Sequence, residues 1–205
     1  MPGEIGHVVY AARLLTSLQD SVREPSYWLG TLFPNIRHLN VTSRHPLHPR
    51  NITLYSLVGD TDFVTGIRVH TWIDNTRAHF LHSNTAKDKL PYHPLLLPAL
   101  KITEDRLLYD HFPDWNLIHR LLNNVHDTEK YYVNDEKVIQ KWHTTLQNYF
   151  SHQPDNDSIS ELLIQLGAEK HSAREVCDLS SELSKNKKVQ LYFHDFWHHL
   201  EQILH

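Results

Sequence analysis

The segment FVTGIRVHTWIDNTRAHFLH, residues 63–82, carries a histidine and an aspartate four positions apart, His70 and Asp74. On a helix that spacing sets both side chains on one face, one turn apart. An imidazole and a carboxylate so placed can share a metal ion at about 2.0–2.2 Å from each donor atom. The simpler outcome is a His–Asp hydrogen bond on a helix surface, worth roughly a few tenths of a kcal/mol. An isolated H-x3-D favours the simpler outcome, so its weight depends on partners. Gly66, one turn before His70, lets another helix approach and bring ligands from elsewhere in the chain.

Other histidines offer themselves. His7 follows Gly6 amid apolar residues, in the first turn of a helix. A helix N-terminus disfavours imidazolium and suits the neutral ring that binds metals. Its simpler role is a half-buried ring satisfied by a backbone group. The stretch YWLGTLFPNIRHL, residues 27–39, projects Asn35 into a loop, with His38, His45 and His48 close behind. His45 and His48 each precede a proline, so their backbones are expected to be extended and stiff. Such pre-ordered histidines make good ligands, and solvated loop histidines are an equally weighted alternative.

Further candidates are weaker. His126–Asp127 and His194–Asp195 are HD doublets of the kind used by HD-type phosphohydrolases, but nothing supplies the aspartate needed well downstream of the second. His171 and Glu175 form H-x3-E far along the chain. Cys177 sits between Val176 and Leu179 and reads as core rather than nucleophile. No G-x-S-x-G, P-loop or dinucleotide fingerprint occurs.

The elements that must position these residues read as helices. Val8, Ala11, Ala12, Leu15 and Leu18 form one face of a helix over about 6–21. A short helix is expected over Ser26–Phe33, opened by Pro25 and stopped by Pro34, followed by a long ordered loop from Asn35 to Asp60. Within that loop, residues 51–58 fit a strand or a helix turn. Asp60 or Thr61 caps a helix at about 62–82. Another helix is expected after Pro91 and Pro94, through about Asp110, with Lys101, Glu104, Asp105 and Arg106 forming a solvated face. Others follow over Trp115–Asn124 behind Asp114, and over Asp135–Phe150 behind Asn134. Residues 153–157 read as a loop. Ser158 with Glu161, and Ser172 with Glu175, read as capping boxes. A last helix over Lys188–Leu204 carries a core stripe of Leu191, Phe193, Phe196, Trp197, Leu200 and Leu204. The expected fold is all-α, about eight helices in a single bundle over 1–205, with 155–205 a candidate C-terminal appendage.

Composition bounds the rest. The chain has 205 residues, one cysteine, and a formal charge of −4 from 20 basic and 24 acidic side chains. An intramolecular disulfide and a cysteine-rich zinc finger are excluded. The charge argues against nucleic acid as the main partner, though not against a nuclease. The 18 histidines nearly equal the Lys and Arg count, so the chain changes sign of charge in mildly acidic water. The longest apolar run, Leu95 to Leu100, is broken by Pro98, so no membrane span is expected. The N-terminus lacks a basic n-region and Arg13 interrupts its apolar stretch, which makes the cytoplasm the expected compartment.

Taken as an ordered set, the early helix histidine, the G-x-x-x-P-D/N-I turn from Gly30 to Ile36, the loop histidine and the G-x3-H-x3-D helix resemble the zinc-dependent phospholipase C family. Short bacterial proteins of this organisation are the nearest likeness, which covers roughly residues 6–82. The resemblance implies the helical fold shared with single-strand-specific zinc nucleases. It implies a metal set of His7, Asn35, His48, His70 and Asp74, with Asn35 standing where the family has an aspartate and His45 an alternative to His48. In the family, two or three zinc ions activate water against a phosphodiester. The family's later ligands have only partial counterparts here: His79 or His82, and Glu104. The neutral Asn35 weakens one site, so fewer metals, another divalent transition metal, or none is implied. Arg37 or Arg77 is expected to face a substrate phosphate. The expected partner is a phosphate-ester small molecule or a lipid headgroup. Two other readings compete: a helical protein that binds a metal or ligand without turnover, and a histidine-rich bundle that responds to pH.

Overall fold

A computed structural model describes residues 2–18, 25–83 and 89–204, leaving out the side chains of residues 45 and 46. All regular elements among the described residues are helical, and no strand occurs there. The fold is all-α, as the 3.6-residue periodicity requires. None of the helices is long and apolar enough to cross a membrane.

Helix α1 (Glu4–Leu18) is buried on every side over its first two turns, from Glu4 to Ala11. Helix α2 (Ser26–Leu32) runs straight into a 3-10 helix, Phe33–Leu39. Pro34 therefore does not stop the helix as expected. It sits in the first turn of the 3-10 segment, where its missing N–H costs nothing. Asn40, with φ of 58°, ends that segment in the left-handed region.

The loop to Asp60 holds a short helix α3 (Arg44–Leu47) and a 3-10 turn, Leu54–Ser56. Residues 51–58 thus resolve to a helix turn. His45 lies within α3 rather than in extended backbone, because Pro46 falls in the first turn of that helix, where its ring is tolerated. His48, after the helix, has φ −134° and ψ 76°.

Helix α4 (Asp62–Leu81) is capped by Thr61, whose hydroxyl accepts from the Val64 N–H. It lies hard against α2. A Cβ on Gly30 would fall 2.0 Å from the Phe63 carbonyl oxygen, and one on Gly66 would fall 2.2 Å from that of Tyr27. The close approach expected at Gly66 is real, and α2 is the helix that makes it.

The later chain encloses this unit. Helix α5 (Leu96–Leu108) continues as a 3-10 turn, Tyr109–His111. Helix α6 (Trp115–Leu121) is capped by Asp114, as expected. A helix that periodicity did not reveal, α7 (Asp127–Tyr132), follows behind His126. Helix α8 (Glu136–Phe150) is capped by Asp135 rather than Asn134, and buries Ile139, Trp142, Leu146 and Tyr149 on one stripe.

Helix α9 (Asn156–Gln165) starts earlier than expected, because Asp155 and Ser158 form the capping box. Helix α10 (Lys170–Lys185) likewise begins behind Glu169, leaving Ser172 inside its first turn. Helix α11 (Lys187–Leu204) buries Val189, Tyr192, Phe193, Phe196 and Leu200. Its stripe is rotated from the expected one, so Leu191 is 48% exposed and Trp197 and Leu204 are only partly covered. The segment after Pro154 adds Ile159, Leu162, Val176 and Leu183 to the same apolar cluster as α1 and α4. Cys177 is buried there, as expected.

Candidate metal centre

Three elements bring donors to one point. The middle of α4 supplies His70 and Asp74, the start of α1 supplies His7, and the end of α3 supplies His48. All four are buried, His70 completely. The glycine crossing sets α2 so near α4 that the Thr31 carbonyl accepts from His70 Nδ1 at 2.8 Å. The Gly3 carbonyl accepts from His7 Nδ1 at 2.8 Å, one turn back along α1. The start of α1 is itself anchored. Asp105 on α5 accepts the Gly6 N–H on Oδ1 at 2.8 Å and the Tyr149 hydroxyl on Oδ2 at 2.9 Å.

A backbone carbonyl can only accept, so both Nδ1 atoms carry their hydrogens. In the neutral ring this leaves each Nε2 as a bare lone pair. Those lone pairs face a carboxylate. His7 Nε2 lies 3.1 Å from Asp74 Oδ1, and His70 Nε2 lies 3.6 Å from Asp74 Oδ2. His48 Nε2 lies 3.4 Å from the same oxygen. The rings of His7 and His70 stack at 3.8 Å with 4° between their planes. His70 Nε2 and Asp74 Oδ2 have no hydrogen-bond partner although buried.

Electrostatics keeps the donors competent. Burial, helped by His7 beside it, holds the His70 ring well below its ordinary pKa and therefore neutral. Burial also lowers His48, against the pull of Asp74. Burial pushes Asp74 up; positive charge on His70 and ring N–H groups of His48 and His7 facing it pull it well below the usual carboxylate range, and a cation among the neutral rings would exert the same pull. Neutral imidazoles and an ionised carboxylate are the forms that ligate.

The donor set fits zinc. Zinc takes imidazole nitrogen and carboxylate oxygen, and here His7 Nε2 lies 3.1 Å from Asp74 Oδ1 while His48 and His70 Nε2 lie 3.4 and 3.6 Å from Asp74 Oδ2. His7, His70 and Asp74 form the tight core, with donor atoms all within 4.8 Å of one another. His48 stands at the edge, outside that group, and its Nε2 accepts from Arg37 Nη1 at 3.2 Å, a bond it would have to exchange for an ion. The Nδ1 atoms of His7 and His70 donate to backbone carbonyls, which is how metal-binding histidines are fixed in tautomer and orientation.

Asn35 reaches this neighbourhood but is otherwise engaged. Its Oδ1 accepts from Arg37 Nη1 at 2.9 Å, and its Nδ2 donates to Glu4 Oε1 at 2.9 Å. The expected weak ligand is thus a bridge between a buried acid and an arginine. Arg37 does come to the centre, since the same Nη1 donates to His48 Nε2 at 3.2 Å. Burial raises the Glu4 carboxyl, against His7 and the Asn35 amide. The neighbouring His38 is brought down to about 4 by burial and by Arg37.

The remaining candidates lie elsewhere. The side chain of His45 is outside the described residues. His82 is exposed, two turns beyond Asp74 and thus about 12 Å along the helix axis. Glu104 does turn inward, yet it accepts from Tyr10 at 2.5 Å and Arg77 at 3.1 Å rather than joining the histidines. Lys101, Glu104, Asp105 and Arg106 therefore do not form a solvated face: Glu104 and Asp105 are wholly buried. Arg77 is held by Glu104 and lies over the rings of Tyr192, Phe193 and Phe196, so it is a core residue.

His126 caps α7, and Asp195 pairs with Lys89, so neither HD doublet builds a centre. His171 and Glu175 form an exposed ion pair on α10. The backbone partner expected for His7 is the Gly3 carbonyl, whereas Glu4 and the Thr31 carbonyl at His70 were not foreseen. The i, i+3 spacing of Glu4 and His7 is the one signal for the former. The latter leaves no mark on sequence.

A cleft of about 460 Å³ opens beside His48, lined by Arg44, Pro49, Arg50, Asn51, Thr71 and Asn75. Comparison with known proteins found no family model, curated protein or solved structure that matches the chain.

Proposed function

We propose that this protein is a metal-dependent hydrolase of phosphoric esters, with His7, His70 and Asp74 holding a divalent transition ion, zinc by donor chemistry, and His48 completing the set. One observation carries the metal: the donor atoms of His7, His70 and Asp74 lie within 4.8 Å of one another in the interior, and the Nε2 of neutral His70 and Oδ2 of Asp74 face each other with no hydrogen-bond partner. Acceptor against acceptor is repulsive in a dry interior, and a cation between them removes the repulsion. When bound, zinc supplies Lewis acidity toward a phosphoryl oxygen and lets water act as nucleophile near neutral pH.

The chain's own residues do the rest. Thr31 and Gly3 carbonyls orient the rings of His70 and His7, burial keeps His70 neutral, and Arg37 places a fixed positive charge beside His48. The step from metal to phosphoric esters rests on the resemblance over residues 6–82 and on the open cleft at His48.

The test is metal content by mass spectrometry on untagged protein, beside His70→Ala and the surface control His171→Ala, with hydrolysis of a chromogenic phosphodiester as second readout. About one transition ion per chain is expected, lost with the activity in His70→Ala and kept in His171→Ala. No ion in any of them after zinc loading and desalting overturns the reading. An ion without hydrolysis favours the second reading, metal binding without turnover. The occupation of Asn35 Oδ1 by Arg37 supports that alternative, since it removes a ligand for a second metal.

A further inference from the structure

The cleft beside His48 has a charge unlike the rest of the molecule. The chain is net negative at −4. The cleft lining contains Arg44 and Arg50, the amides of Asn51 and Asn75, the Thr71 hydroxyl and His48, and no acid. Arg44 is near enough to His48 and Arg37 to act on both electrostatically. Two buried polar atoms of the lining lack partners. Thr71 is 3% exposed and His48 7%, yet Thr71 Oγ1 and His48 Nδ1 have no hydrogen bond. Unsatisfied buried polar atoms in a wall of guanidinium and amide donors are what a bound oxyanion would satisfy.

We propose that this cleft is an anion subsite that receives the phosphate of a small, soluble phosphate ester, gripped by Arg44 and Arg50 and presented to the donors at His48. The inference rests on the metal-centre reading for its purpose, but its binding chemistry belongs to the cleft alone. A volume of about 460 Å³ suits a small molecule. Arginines at the mouth bind phosphate through paired N–H groups, and their exposure makes the grip sensitive to salt.

The test is calorimetric titration of inorganic phosphate into the full chain, metal-free and zinc-loaded, for wild type and for the double variant Arg44→Gln/Arg50→Gln. Sedimentation with phosphatidic acid vesicles is run beside it. Saturable phosphate binding is expected, weakened at least about tenfold in the double variant and reduced by added salt, with zinc content unchanged and no vesicle binding. Arginine-dependent phosphate binding in a protein that takes no zinc would uphold the subsite and overturn the metal centre. Zinc binding with phosphate affinity untouched by the double variant would do the reverse. Vesicle binding lost in the double variant would overturn the small soluble ligand in favour of a lipid headgroup.

Discussion

Asp105 is a carboxyl sealed from solvent, and its two hydrogen bonds hold the start of α1. Burial pushes it well above the usual carboxylate range. Glu4 and Glu104 push the same way, against the Gly6 N–H and the Tyr149 hydroxyl. A raised pKa in the folded state contributes stability in full below the unfolded value of about 3.9, and that stability is lost as pH rises through the folded value. Asp105→Asn carries no titrating group. Relative to wild type it is expected to gain stability with rising pH, by up to about 1.4 kcal/mol per unit across that window. Urea midpoints at pH 5 and pH 8 check this, and a constant difference between the two proteins would refute it. At this scale the sequence was half legible. His70 and Asp74 announce themselves by spacing, and His7 and His48 joined them through an ordered resemblance. Glu4, Asp105 and the fate of Asn35 stayed hidden, because what a side chain touches across 30 or 100 residues is set by packing and not by local pattern.

Among the elements, the crossing of α2 on α4 decides the site. Gly66→Ala puts a methyl 2.2 Å from the Tyr27 carbonyl and 2.6 Å from the Thr31 N–H nitrogen, both backbone. Neither can turn aside as a side chain could, so the helices must separate. A loss of about 1–3 kcal/mol in denaturant stability is expected. The same shift draws the Thr31 carbonyl from His70 Nδ1, so metal retention should fall roughly 10–100-fold. Wild-type stability and retention in this variant would show that the crossing has slack. Periodicity located the long helices α1, α4, α8 and α11 to within a few residues, since a buried stripe must repeat near 3.6. It failed where helices are short. Helix α7 has too few turns to show a stripe; the starts of α9 and α10 were missed for another reason, each lying two residues ahead of a serine that looked like its cap.

For the molecule as a whole, a ligand that binds only the folded chain raises its stability by mass action. Zinc at one hundred times its dissociation constant adds about 2.7 kcal/mol. At roughly 2–4 °C per kcal/mol for a chain of this size, the melting temperature should rise by about 5–10 °C. Differential scanning fluorimetry with zinc, then with excess chelator, reads the shift and its reversal. His70→Ala should show neither, and an equal zinc shift in that variant would place the ion at another of the 18 histidines. The all-α class was legible from the scarcity of glycine and the helical spacing. Which residues after Pro154 reach the core of α1 and α4 was not, because contacts of that sequence separation leave no periodic trace.

His7 and Asp74 meet across 67 residues of chain. A protein with the single thiol of Cys177 can form no internal disulfide. An ion held by His7, His48 and the α4 pair would be its cross-link, tying three separate stretches of backbone at one knot. Such a tie is indifferent to thiol reductants, which cut sulfur bridges. It is cut instead by acid and by chelators, so the chain would carry a fastening that a reducing compartment leaves closed.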